Sequence, residues 1–282
     1  MRWTPGGSSP DIEDLRGRSG GRFRLPGRIG LGGLLLLLVL SVVFKQDFFS
    51  LVGMGGGPGQ VAAGPVEASP EEEKLKSFIG FVLDDVQATW DQTLPEQAGT
   101  RYEHARLVLF RDAIESACGF AEAATGPFYC PGDHRVYIDL GFYQDLAERF
   151  GAPGDFAQAY VLAHEIGHHV QTLLGTEAQL RQLQGSRPAQ ANELSVRFEL
   201  QADCYAGVWG SSAARRGKLE TGDVEEGLNA AAAVGDDRVQ RMSSGRVSPE
   251  GFTHGSSEQR SQWFRQGLNS GRLSACDTFA AR

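Results

Sequence analysis

The chain is poor in cysteine, lacks a surplus of positive charge and shows no internal repeat. Its 4 cysteines among 282 residues never fall at the C-x-x-C spacing of a zinc ribbon or a dithiol redox motif. Lys and Arg number 27 against 35 Asp and Glu, a formal net charge of −8, so the basic surface of a nucleic-acid binder is missing. Apolar residues make up 41% and charged residues 22%, which excludes a wholly disordered chain, a coiled coil and a multi-span membrane protein. The length leaves room for one sizeable domain with extensions.

What charge there is lies unevenly. Residues 1–28 carry Arg2, Arg16, Arg18, Arg22, Arg24 and Arg28 against Asp11, Glu13 and Asp14, a net +3 that leaves −11 for the rest. This segment runs into the uncharged stretch Ile29–Phe44, closed by Lys45 and Asp47. As a helix the stretch spans roughly 24 Å, slightly short of a ~30 Å hydrocarbon core, with Lys45 placed to snorkel. It is read first as a single-pass anchor. A cleaved signal peptide would have an unusually long n-region and only Val61-Ala-Ala63 as a poor cleavage site, and a buried core helix would need a polar face that the Leu block lacks. Positive charge before the run and acidic charge after it place the N-terminus in the cytoplasm and the C-terminal domain outside, on the inner membrane.

The organisation expected is therefore a basic disordered tail (1–28), a transmembrane anchor (29–52), a Gly/Pro-rich linker (53–70) and a folded domain (71–282). Within the domain, helical spacing of Leu75, Phe78, Ile79, Val82, Val86 and Trp90 predicts a helix over 71–91. Residues 107–110 and 136–140 read as short strands joined by a Gly/Pro/Cys-rich loop. The strongest helical stripe covers 154–174 and stops at Gly175; a polar loop (176–189) precedes a helix over 190–210. Two more helices are expected near 223–234 and 257–269, the last opened by a Ser256/Gln259 capping box.

His164-Glu165-Ile166-Gly167-His168 lies inside the best helical pattern. Spacing of i, i+4 stacks His164 and His168 on one face, as two imidazoles sharing a tetrahedral Zn²⁺ require. Glu165 is placed to take a proton from the attacking water without itself ligating the metal. A catalytic zinc needs a third protein ligand, and Glu199, on the next helix, is the best candidate, with Asp203 four residues on to orient an imidazole through its other nitrogen. Glu193 ranks lower, lacking such a partner. His169 reads as structural, and His104 and His134 as surface residues. His254 either stabilises an oxyanion or is an ordinary turn residue; Tyr160 and Tyr205 are alternative electrophiles. Gly167 reads as a close-packing position against the sheet.

His164-Glu-Ile-Gly-His-His-Val-Gln171, Glu199-Leu-Gln-Ala-Asp-Cys-Tyr-Ala-Gly-Val-Trp209 and Thr253-His-Gly-Ser-Ser-Glu-Gln-Arg260 resemble, in this order, the motifs of the bacterial putative neutral zinc metallopeptidase family. Gly126-Pro-Phe-Tyr-Cys-Pro131 and Val136-Tyr-Ile-Asp-Leu140 look like that family too, and the likeness covers most of 71–282. More distantly the chain is similar to the HtpX-like and CAAX-prenyl endopeptidases, whose Glu-x-x-x-Asp supplies the third ligand and is followed by a Thr-His segment. The resemblance implies an α+β, mostly helical zincin-like domain of gluzincin type with a small sheet, Glu199 as ligand and His254 near the site. Gly255 stands where the distant enzymes usually carry proline.

An exported domain with four cysteines suggests two disulfides out of three possible pairings. Cys118–Cys130 would close the loop between the two strands, and Cys204–Cys276 would tie the Glu199 helix to the C-terminus; four reduced thiols are the alternative. The expectation is a membrane-anchored zinc endopeptidase in which His164, His168 and Glu199 hold Zn²⁺ and Glu165 is the general base. The exposed edge of strand 136–140 would pair with a protein or peptide substrate. A non-catalytic, metal-stabilised binding or assembly module is the alternative, and a zinc hydrolase of a non-peptide amide a weaker third.

Overall fold

The computed structural model describes residues 1–4, 9–17, 68–123 and 126–280. Met1–Leu15 and Ser69–Arg282 belong to one folded unit; Arg16–Ala68 form a second, of which only residues 16, 17 and 68 are described. The apolar run at 29–52 lies outside the described residues. Among those described, no helix is long and apolar enough to cross a membrane.

The N-terminal segment departs from its expected role as a disordered tail. Ile12–Asp14 form strand β1, and Trp3 packs edge-on against Phe78 with ring centroids 5.3 Å apart. Strand β1 pairs in parallel with β2 (Arg106–Phe110), Ile12 opposite Leu107. Chain from both sides of the undescribed segment thus meets in one sheet. Residues 12–14 of the expected tail are thus a strand of the folded unit.

Helix α1 (Pro70–Ala98) starts on a Ser69/Glu72 capping box, with Pro70 where a missing N–H costs nothing and three glutamates on the positive end of the helix dipole. It buries Phe78, Ile79, Val82, Leu83, Val86, Trp90 and Leu94. It therefore runs well beyond the sequence expectation, to a left-handed cap at Gly99. His104, expected to be a plain surface residue, sits between Asp11 (2.7 Å) and Asp91 (3.0 Å) and so links the N-terminal segment to α1.

The sheet continues with the hairpin β3 (Ala113–Ser116) and β4 (Gly119–Glu122), which stands apart, then β5 (Phe128–Cys130) and β6 (Arg135–Asp139). The four-stranded order is β1-β2-β6-β5, with β6 parallel to β2 and antiparallel to β5. Both edges of β6 are therefore paired, and the outer edge on this side belongs to β5. The substrate-pairing role expected of 136–140 cannot fall to that strand. Cys118–Cys130 closes the intervening loop as expected.

Seven helices follow: α2 (Gly141–Glu148), α3 (Asp155–Leu173), α4 (Thr176–Ser186), α5 (Ala191–Arg215), α6 (Asp223–Ala233), α7 (Asp236–Ser244) and α8 (Ser257–Ser270). The sequence reading missed α2, α4 and α7, which are short and bury at most two side chains each, leaving a weak periodic signal. Ser256 and Gln259 form the expected capping box of α8. Helices α5 and α8 cross almost backbone to backbone: a Cβ on Gly207 would strike the Phe264 carbonyl, and one on Gly267 the Cys204 carbonyl. The Cys204–Cys276 disulfide fastens the chain beyond α8 to α5.

Candidate metal centre

Helix α3 carries the core of the site. Asp155 lies in its first turn, where a carboxylate complements the dipole, and the Met1 ammonium stands 2.6 Å from it. Phe156 N–H donates to Glu226 at 3.1 Å, satisfying an orphan donor at the helix start. At the other end Gly175, with φ 77°, turns the chain into α4. His164 and His168 lie one turn apart on the inward face, ring centroids 4.7 Å apart and nearly perpendicular.

Helix α5 packs on α3 at Gly167, not the sheet as expected. A Cβ at Gly167 would come within 2.9 Å of the Ala202 carbonyl oxygen and 3.1 Å of its Cα. The missing side chain lets α5 approach closely enough to deliver Glu199 between the two histidines. Its Oε2 is 3.2 Å from His164 Nε2 and 3.5 Å from His168 Nε2. Around a tetrahedral Zn²⁺ with bonds of ~2.0–2.1 Å, neighbouring ligand atoms stand roughly 3.3–3.4 Å apart. Both nitrogen–oxygen edges are close to this spacing and the three ligand atoms lie within 4.8 Å of one another, so the set fits zinc in chemistry and dimension. Glu193 pairs instead with Arg197 on the exposed side of α5.

Gly167→Ala tests this close approach. Alanine would gain about 1 kcal/mol of helix propensity in an isolated helix. Here it is expected to cost roughly 1–3 kcal/mol, because the two helices must part. Denaturant unfolding decides between the two; an unchanged or raised midpoint would show that the helices separate freely.

Behind His164, Asp203 is fully buried and accepts from His164 Nδ1 at 2.8 Å, so Nε2 is the nitrogen left facing Glu199. The same carboxylate receives Arg260 Nε at 2.8 Å and Nη2 at 2.9 Å, together with the Tyr160 hydroxyl. Burial alone would raise the Asp203 pKa, but Arg260 and then His164 outweigh it and hold the group at about 2. Burial likewise would lower His164, and the Asp203 charge reverses this, taking it to about 9. Glu199 is held well below the carboxylate range: burial opposes ionisation, and the two imidazoles, His168 foremost, overcome it.

The three side chains open into a cleft of about 810 Å³, lined also by Glu165, His254 and Tyr160. Phe128, Tyr129, Phe142, Phe150 and Val239 form much of its apolar wall. His254 stands exposed at the rim, its Nδ1 3.2 Å from Asp236 Oδ1. Asp236 Oδ2 accepts from the backbone N–H groups of Thr253 (2.7 Å), His254 (2.7 Å) and Gly255 (3.2 Å). Asp236 therefore holds the whole turn, and its hydrogen bond raises the His254 pKa. Gly255 adopts φ 95°, which proline's ring forbids, and contributes an N–H that proline lacks. That accounts for the departure from the distant enzymes.

The remaining sequence candidates are placed elsewhere. His169 is fully buried, Nε2 on the Glu103 carbonyl (2.6 Å) and Nδ1 facing the Tyr129 hydroxyl (3.0 Å); burial lowers its pKa to about 4. Its role is structural, as expected. His134 is exposed, its ring near that of His169. Tyr205 packs against Trp90 in the core, outside the cleft. Arg260 and Asp236 were missed. Arg260 falls in a polar run, and only its i+4 and i+7 spacing to buried Phe264 and Gly267 marks it as inward-facing.

A profile of the family described as "Putative neutral zinc metallopeptidase" matches residues 1–279. The uncharacterized protein YpfJ of Escherichia coli strain K12 is 48% identical, with 99% of each chain covered. The uncharacterized protein Mb2605 of Mycobacterium bovis is 44% identical over 70% of this chain and 68% of its own. No solved structure matches.

Proposed function

The chain belongs to the putative neutral zinc metallopeptidase family, and from that premise we propose that it is a zinc-dependent endopeptidase acting on extended peptides. The observation that carries the reading is the placement of Glu199 Oε2 at 3.2 Å from His164 Nε2 and 3.5 Å from His168 Nε2 on the wall of an open cleft. These three residues would hold zinc, which supplies Lewis acidity to a water and to the substrate carbonyl when bound.

The chain's own groups do the rest. Glu165 takes the proton of the attacking water and passes it to the departing amine. His254, whose pKa the hydrogen bond to Asp236 raises, donates to the oxygen that gains charge as the carbonyl becomes tetrahedral. Asp203 fixes the tautomer of His164, and Arg260 keeps Asp203 ionised in its buried position. The outer edge of β5, whose Phe128 and Tyr129 line the cleft, offers backbone groups to an extended substrate, and the aromatic wall favours bulky apolar side chains beside the scissile bond.

Chelation tests the reading. Purified full-length protein is expected to carry one zinc per chain and to cleave members of a broad peptide library. Hydrolysis should cease on chelation and return with stoichiometric zinc. Cleavage that persists in demonstrably zinc-free protein would refute it.

A further inference from the structure

His168 is oriented differently from His164. Among the described residues no carboxylate bonds its Nδ1. Its Nδ1 meets the side-chain oxygen of Gln171 at 2.8 Å. Gln171 is fully buried, although it follows Val170 in an apolar stripe where a polar side chain has no packing advantage. Its amide nitrogen spends both hydrogens, on the Phe198 carbonyl at 2.8 Å and on Gln201 Oε1 at 3.0 Å. Gln201, itself buried, donates its own amide nitrogen to the Cys276 carbonyl at 3.0 Å.

The polarity of this relay follows from two main-chain carbonyls, that of Phe198 beside Gln171 and that of Cys276 at the far end. A main-chain carbonyl only accepts, so the NH₂ of Gln201 must face Cys276 and its oxygen must face Gln171. Gln171 must then present NH₂ to Gln201 and its oxygen to His168. Nδ1 of His168 therefore carries a hydrogen, and Nε2 is the nitrogen left for a metal. Turning either amide over would bury unpaired donors and acceptors, at about 1–3 kcal/mol for each group. The terminal carbonyl is itself held in place: the Cys204–Cys276 disulfide ties it to α5, and the Thr278 hydroxyl donates to the Arg197 carbonyl at 2.6 Å.

We propose that Gln171 and Gln201 are positioning residues for the His168 imidazole, Gln171 directed by the Phe198 carbonyl and by Gln201, and Gln201 directed from the C-terminal segment by the Cys276 carbonyl. The proposal rests on the zinc reading given above. One imidazole is aligned by a buried charge, the other by a neutral amide relay. The relay makes the chain beyond α8 part of the metal centre's support without placing any of it in the cleft.

The test measures zinc affinity by competition with a chromophoric chelator, using full-length wild type, Gln171→Leu, Gln201→Leu and the Cys204→Ser/Cys276→Ser double variant. Leucine nearly preserves side-chain volume at both glutamines. Gln171→Leu is expected to weaken zinc binding roughly 10–100-fold, the range seen when a ligand's supporting partner is removed. Gln201→Leu and the double serine variant should lose several-fold, and a Cys118→Ser/Cys130→Ser control nothing. Nitrogen-15 spectra of the zinc-loaded protein provide a readout that mere destabilisation would not move: the His168 Nδ1–H should exchange slowly with water in wild type and rapidly in Gln171→Leu. Wild type that binds zinc, with both leucine variants binding it equally and the His168 Nδ1–H exchanging at the same rate in all three, overturns the relay alone. Wild type without zinc affinity overturns the metal reading and the relay with it.

Discussion

Glu165→Gln is expected to lower the rate of peptide hydrolysis by roughly 10²–10⁴-fold, the usual worth of a general base, while leaving one zinc per chain. Glu165 follows His164 directly, so its side chain leaves the helix about 100° around from the imidazole. It reaches the same cleft without joining the ligand set. Glutamine keeps the shape and cannot take a proton. Initial rates on a fluorogenic peptide, with zinc measured in the same preparation, give the answer. A Glu165→Gln variant as fast as wild type would remove Glu165 from the chemistry. If both chains bind zinc and neither cleaves any peptide, the domain is a metal-stabilised binding module.

Asp203→Ala should have the largest effect on stability. The Asp203 carboxylate is fully buried and faces two nitrogens of Arg260, a guanidinium only 4% exposed. Its loss leaves a buried positive charge without its counter-ion, which costs about 3–5 kcal/mol. His164 also loses the acceptor that selects its tautomer, so zinc affinity should fall by roughly 10–100-fold. The paired change Asp203→Leu with Arg260→Met separates the two effects. It removes both charges together, so folding should largely recover while zinc affinity does not. Urea unfolding and chelator competition on the three chains test this. A single variant as stable as wild type would show that Arg260 reaches water.

These predictions draw unequally on sequence and structure. The i, i+4 histidines, the intervening glutamate and the helix carrying them were legible because a helix has a fixed pitch, so spacing along the chain becomes spacing in space. Glu199 and Asp203 were legible for the same reason: one turn apart, they had to share a face. The Ser256/Gln259 box is equally local. Both cysteine pairings matched the expected bridges.

Arg260, Asp236 and strand β1 were not legible. Arg260 sits among serine, glutamate and glutamine, and its counter-ion Asp203 lies on α5, which α8 meets closely at Gly207 and Gly267. Asp236 acts through three backbone N–H groups of a turn that comes close to it only in the folded chain. Strand β1 is three residues long in a segment of charges and glycines, too short for alternation to show, and its partner lies far along the chain.

By itself the sequence determined the ligand types, the helix that aligns two of them and the acid able to act as base, since each is a matter of residue chemistry and local period. The tertiary structure decided how the third carboxylate reaches the pair, what holds each imidazole in its tautomer, and that the first fifteen residues join the domain. Those outcomes depend on helix crossings, buried hydrogen-bond polarity and long-range strand pairing, none of which has a period along the chain.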